Sequence, residues 1–199
     1  MKPKRQDDFL IEFNQLATRV ATLKRLVQSP QLITDGRLPE NPYDGQQVSM
    51  LVDSNLGVKW AFEFREDSPN DEKWEFVSGP PLYSAVDADD STDSTVFIDL
   101  GGPSLVAPLA GQYEIHAGTE TYEVSSANWH VLGLNINAGT TEEWAVAHGG
   151  ANDYTPINRR AVREVPLANS VVKTQIRTTG GTGTNFRRTW LFIKPIRVK

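Results

Sequence analysis

The chain contains no cysteine, so disulfide staples, zinc ribbons and thiol nucleophiles are all excluded. Packing, hydrogen bonds or association with other chains must hold the fold together. Also missing is any run of about 18 apolar residues, and the charged opening from Met1 to Asp8 has no apolar signal core. The expectation is a chain that is neither Sec-exported nor inserted in a membrane. There is no basic excess either: 20 Lys and Arg face 25 Asp and Glu, a net charge of −5 that argues against a protein coating bare nucleic acid. Aromatics that could stack bases are interleaved with the arginines only at Phe186 and Trp190.

Signals of catalysis are equally sparse. Histidine occurs three times, as His116, His130 and His148, each in a different expected strand, so the local spacing never makes a metal-ligand pair. Structural or surface roles are expected of them, and no metal or cofactor is expected. Glu142 and Glu143 are adjacent, which on a strand sends them to opposite faces and unsuits them as an acid and base pair. Gly180-Gly181-Thr182-Gly183-Thr184 lacks the lysine and following helix of a phosphate loop and reads as a hairpin tip. The chain is read as a binding or structural protein, not an enzyme.

What is present is a chain of 199 residues with 39% hydrophobic content, enough for one or two domains. Three periodicities divide it. In residues 1–30 the apolar positions Phe9, Phe13, Leu16, Val20, Leu23 and Val27 alternate spacings of four and three, which draws one stripe along a helix. Asp7 or Asp8 can cap its start, and Pro30 ends it. Such a stripe packs either on its own domain or in a short trimeric coiled coil, the favoured reading, in which it anchors and trimerises the protein. Leu10, Ala17 and Leu26 widen it.

Residues 31–83 open with turn formers and continue as a small antiparallel β meander over Gln47 to Asp53, Gly57 to Arg65 and Lys73 to Ser78. Val58, Trp60, Phe62 and Phe64 share one face of its middle strand, a thin core that must lean on a neighbour or a symmetry mate. Residues 84–94 hold four aspartates and read as a solvated acidic linker, because an EF-hand loop would need a central glycine and a terminal glutamate. Residues 95–199 alternate short apolar runs with Gly, Pro and Asn clusters, the pattern of an antiparallel, jelly-roll-like β-sandwich. The fold class is therefore mainly β. Trp129, Trp144 and Tyr154, near the ends of expected strands, are candidates for a sugar platform or for plugs of the sandwich.

Charge is unevenly placed. Seven basic and four acidic side chains give residues 1–39 a charge of +3; three against twenty give residues 40–154 −17; ten against one give residues 155–199 +9. The basic strands either pair with acidic ones inside a subunit or meet acidic strands of another copy.

Three stretches carry a resemblance. Leu38-Pro39 through Asp44-Gly45-Gln46, with Gly57-Val58-Lys59-Trp60 and the run from Lys73 to Leu82, resembles a module recurrent in virion proteins of tailed bacteriophages. Pro108 to Ile115 and Arg188 to Val198 look like the opening and closing strands of the knob in the same proteins, whose sandwich is similar to the trimeric complement C1q and tumour-necrosis-factor folds. The resemblance implies a homotrimeric minor tail protein or fibre, or else a capsid fibre or decoration protein. It would be assembled in the host cytoplasm, attached to other virion proteins through its N-terminal helix, and would present its knob at the particle surface to a host glycan. The competing class is a carbohydrate-binding module or carbohydrate-active enzyme.

Overall fold

The computed structural model describes residues 14–20, 30–68, 70–99, 101–123, 129–148, 154–180 and 184–199, with only the backbone of Glu123, Ala147 and His148. These residues form thirteen strands and one short helix. A nine-stranded sheet is made by β1 (Gln31–Ile33), β2 (Gln47–Asp53), β3 (Val58–Phe64), β4 (Trp74–Ser78), β5 (Leu82–Val86), β6 (Asp90–Thr92), β8 (Gly111–Glu123), β11 (Thr155–Val165) and β13 (Thr184–Val198). A four-stranded sheet packs on it, in the order β10 (Glu142–His148), β9 (Trp129–Ile136), β12 (Ser170–Thr178), β7 (Ser104–Ala107). The mainly β expectation holds, as a two-sheet sandwich.

Alternation sets the faces. In β12 Ser170, Val172, Thr174, Ile176 and Thr178 are buried between the sheets while Val171, Lys173, Gln175 and Arg177 turn outward. In β8 Tyr113, Ile115 and Ala117 are buried, followed on the same face by Thr119 and Thr121, so the interior passes from apolar to hydroxyl-lined along the strand. The Thr119 and Thr189 hydroxyls satisfy each other at 2.8 Å.

β13 organises the larger sheet. One of its edges runs along β8 from Thr184 to Val198, and the other takes β6, β5 and β4 in succession. Two irregularities interrupt the β8 pairing, one at Arg187/Trp190 and one after Pro195, which has no N–H to give to a ladder. Arg188 lies at the first with φ 50°.

Residues 84–94, expected as a solvated linker, contribute two strands instead. Val86 to Leu82 pair with Thr189 to Ile193, and Asp90 to Thr92 with Phe186 to Thr184. The physical reason is the open edge of β13: it satisfies the backbone groups of a polar segment whatever its side chains, and Leu82 and Thr92 are buried there. The Gly180 stretch is not the tip of a hairpin either, since β12 and β13 belong to different sheets.

The meander forms as expected over β2, β3 and β4, and it leans on its own chain. β4 continues into the main sheet through Trp74–Val198 and Glu75–Arg197. Trp60 and Phe62 are fully buried, Trp60 lies 6.3 Å from Tyr113 of β8, and its indole N–H donates to the Pro80 carbonyl at 2.7 Å. One apolar cluster runs from Ile33 through Trp60 to Val172 and Ile193. Residues 14–20 are helical, with Leu16 and Val20 exposed; Phe9, Phe13, Leu23 and Val27 lie outside the described residues.

Candidate assembly surface

The outer face of the nine-stranded sheet follows from its register. Tyr83 of β5 pairs with Phe192 of β13, Phe192 with His116 of β8, and His116 with Arg160 of β11, so these four side chains cross four strands in one row. The adjoining row is Ala85, Trp190, Gly118 and Asn158. Gly118 is required there: a Cβ at that position would come within 2.6 Å of the Trp190 ring and 2.8 Å of Asn158 Cβ, so the indole lies directly over the glycine. His116 meets Trp190 edge to face at 4.4 Å and Phe192 at 6.4 Å. On the other side Lys194, Glu114 and Val162 form the next row, with Arg160 bonded to Glu114. Tyr83 is 62% exposed and Val162 51%. An aromatic strip with a charged border therefore faces away from the core.

The outer face of the smaller sheet differs. There Lys173 pairs with Asp99 and Arg177 with Glu143, and Arg177 lies 5.1 Å over the Phe97 ring. A Cβ at Gly133 would meet Phe97 at 2.5 Å, so this ring covers the sheet.

These contacts decide where the basic strands find their partners. Of the ten basic residues after Thr155, nine meet a carboxylate of the same chain. Arg159 and Arg163 meet Glu142, Arg160 Glu114, Lys173 Asp99, Arg177 Glu143, Arg187 and Arg188 Glu120, Arg197 Glu75, and Lys199 Glu72. The tenth, Lys194, stands 5.1 Å over Phe76. The opposite charges seen along the sequence thus meet inside the subunit. Arg187 and Arg188 hold the Glu120 carboxyl below the usual range, and Arg163 does the same for Glu142. Glu142 and Glu143 do point apart, one to β11 and the other to β12.

The three aromatic candidates are not brought together. Trp144 is buried, donates its indole N–H to the Arg159 carbonyl at 2.9 Å, and has the guanidinium groups of Arg159 and Arg163 each 5.3 Å from its ring. It is a plug that seals the β10–β11 edge, placed inward by the irregularity between Glu143 and Ala145. Tyr154 stacks on Tyr122 at 5.0 Å and carries Arg187 3.2 Å over its ring. Trp129 remains half exposed on the outer side of β9. His130 is buried 6.2 Å from Phe186, and among the described residues no group of three His, Cys, Asp or Glu is placed to hold a metal ion. No helix among those residues is long and apolar enough to cross a membrane.

Neither the family models nor the curated proteins give a match to this chain. Solved structures give weak ones. Eiger TNF from S. frugiperda is 10% identical with a TM-score of 0.40, over 60% of this chain and 94% of that one. The infectious bursal disease virus Gx strain structure is 13% identical with a TM-score of 0.42, over 80% of this chain and 41% of that one. The CBM22-1–GH10 modules of Clostridium thermocellum xylanase 10B are 13% identical with a TM-score of 0.32, over 79% and 25%. Likenesses of this size carry no functional weight.

Sequence reading did not single out Tyr83, His116, Trp190 and Phe192 as a surface. The alternation of Trp190 and Phe192 was visible, but not which neighbours lie beside them.

Proposed function

We propose that this chain is a structural, self-assembling component of a bacteriophage particle: a trimer that uses its N-terminal helix as an anchor and exposes its sandwich as a knob. It binds and does not catalyse. The observation that supports this best is the aromatic outer face of the nine-stranded sheet. An aromatic strip spanning three strands, Tyr83, then Trp190 and Phe192, then His116, only partly covered in a single subunit, is the kind of surface that another protein surface covers. A second copy is the occupant that suits it. The basic strands are already paired with carboxylates within the subunit, so they leave no strong positive field to seek an acidic partner. The helix stripe of Phe9, Phe13, Leu16, Val20, Leu23 and Val27 adds a second self-association feature in the sequence. The phage assignment itself rests on the three sequence stretches described above, and a minor tail protein or short fibre is preferred to a capsid decoration protein.

Light scattering at micromolar concentration tests the trimer, with an expected mass three times the 22.1 kDa of the chain. Tyr83→Glu with Val162→Glu on the sheet face, combined with Leu16→Asp and Val20→Asp on the stripe, should reduce it to that of one chain. A wild-type protein running at one chain's mass would refute the proposal.

A second reading is favoured by Trp129, whose half-exposed ring on the outer side of β9 could receive a sugar. Glycan-array binding that is lost in Trp129→Ala would support adhesion to a host glycan; an array without binding would remove it.

A further inference from the structure

At the β10–β11 edge the two sheets are joined directly, by the Trp144 indole and by Glu142 with its arginines. The opposite edge is built differently. There β5 and β6 of the larger sheet face β12 together with Ile98 and Gly102, and a cleft between them is lined by Val86, Asp90, Ile98, Thr174, Phe186 and Thr189, among others. About 20 Å³ within it has room for the centre of a water-sized sphere. Thr174 is 2% exposed, and although its backbone N–H donates to the Pro103 carbonyl at 3.2 Å, its hydroxyl has no partner among the described residues. Gly102 leaves the space beside that hydroxyl open, since a Cβ there would stand 2.8 Å from Thr174 Oγ1.

A hydroxyl carries one donor and two acceptor sites, and leaving all of them unmet at this depth is costly. The space matches one water, for which about 10–15 Å³ by this measure suffices, and it is too small for a sugar or a nucleotide. We propose that this cleft is a built hydration site. A single water bridges Thr174 Oγ1 on β12 to the Asp90 carboxylate on β6, and so adds a tie between the sheets beside the bond from the Thr178 N–H to the Ser94 carbonyl, 2.8 Å long, that joins this edge. The water donates to the carboxylate and exchanges a second hydrogen bond with the hydroxyl. This gives the acidic segment after β5 a specific use that its composition does not suggest.

A high-resolution crystal structure of the full chain tests the site directly. A density peak within hydrogen-bond reach, about 2.6–3.2 Å, of both Thr174 Oγ1 and Asp90 is expected. A cleft without such a peak, or a Thr174 hydroxyl bonded to a protein carbonyl, overturns the proposal. Thermal melting gives an independent sign. Thr174→Val keeps the shape and removes the hydroxyl, so losing the bridge should lower Tm by about 2–4 °C while Thr174→Ser holds it. Were the hydroxyl simply unpaired, Thr174→Val would leave Tm unchanged or raise it. Asp90→Ala should also cost less in the Thr174→Val background than in the wild type, because one water serves both groups; additive losses would refute the bridge.

Discussion

Glu142 offers the sharpest test of how the sandwich is closed. Its carboxylate accepts from Arg163 Nε at 2.7 Å and from Arg163 Nη2, while Arg159 Nη1 stands 3.6 Å away. Both guanidinium groups flank the buried Trp144, so the carboxylate fixes two cations against one indole. Charge-assisted bonds contribute about 1.5–3 kcal/mol when well shielded. Here the Glu142 side chain is 41% exposed, and screening reduces the expected loss in Glu142→Gln to about 1 kcal/mol, or 2–4 °C in Tm. The pH dependence has a definite sign. Arg163 holds the folded-state pKa below the ordinary 4.5, so the contribution is present above that value and disappears as pH falls through the folded one. Urea unfolding of wild type and Glu142→Gln at neutral and acid pH should therefore converge below that range. Glu143→Gln is the control: one residue away, it removes only the more exposed pair with Arg177 on the outer face, and should change stability by less than about 0.5 kcal/mol. Equal effects of the two substitutions, or a constant gap between wild type and Glu142→Gln down to acid pH, would refute this account of the edge.

Two further predictions concern the turn after β9 and the phenol of β8. Asn137 and Ala138 have φ of 54° and 56° in a turn closed by Gly139 N–H to the Ile136 carbonyl, so Ala138→Gly should stabilise the protein by about 0.5–1 kcal/mol in urea unfolding, with no gain refuting a strained Ala138. Tyr113 donates to the Leu109 carbonyl at 2.9 Å and burial raises its pKa above the ordinary 10.0, so its contribution is complete below pH 10 and is lost as pH rises further. Wild type should lose stability above pH 10 more steeply than Tyr113→Phe, by up to about 1.4 kcal/mol per pH unit; parallel alkaline limbs would contradict this.

Strands that alternate on their own were legible. Val58 to Phe64 announced its buried face through Trp60 and Phe62, because a two-residue period needs no knowledge of neighbours. In β11 only the stretch from Ala161 onward has the apolar pattern of a strand, since Pro156, Asn158 and the two arginines before it resemble a loop. An edge strand tolerates them, as its outer backbone has no partner to satisfy. β5 and β6 were hidden for a related reason: their pairing is supplied by β13, about a hundred residues away, and nothing local records it. Trp144 and Trp129 looked alike in sequence, and a one-residue irregularity in β10 separated a sealed ring from an open one. The aromatic face was the least legible feature, for it exists only when three strands distant in sequence come into one register.

The position of β13 also governs how the molecule can come into being. The partners of this strand begin at Trp74, Leu82, Asp90 and Gly111, so every one of its pairings closes a loop of many tens of residues. Until it arrives, β4, β5, β6 and β8 have unpaired edges, and the row that carries Tyr83 and His116 is split by a missing strand. The strand that finishes the core is thus the one that creates the surface, and an incompletely folded subunit has no aromatic face to offer. If this face is the assembly surface proposed above, subunits can recognise one another through it only after each has closed its own sheet.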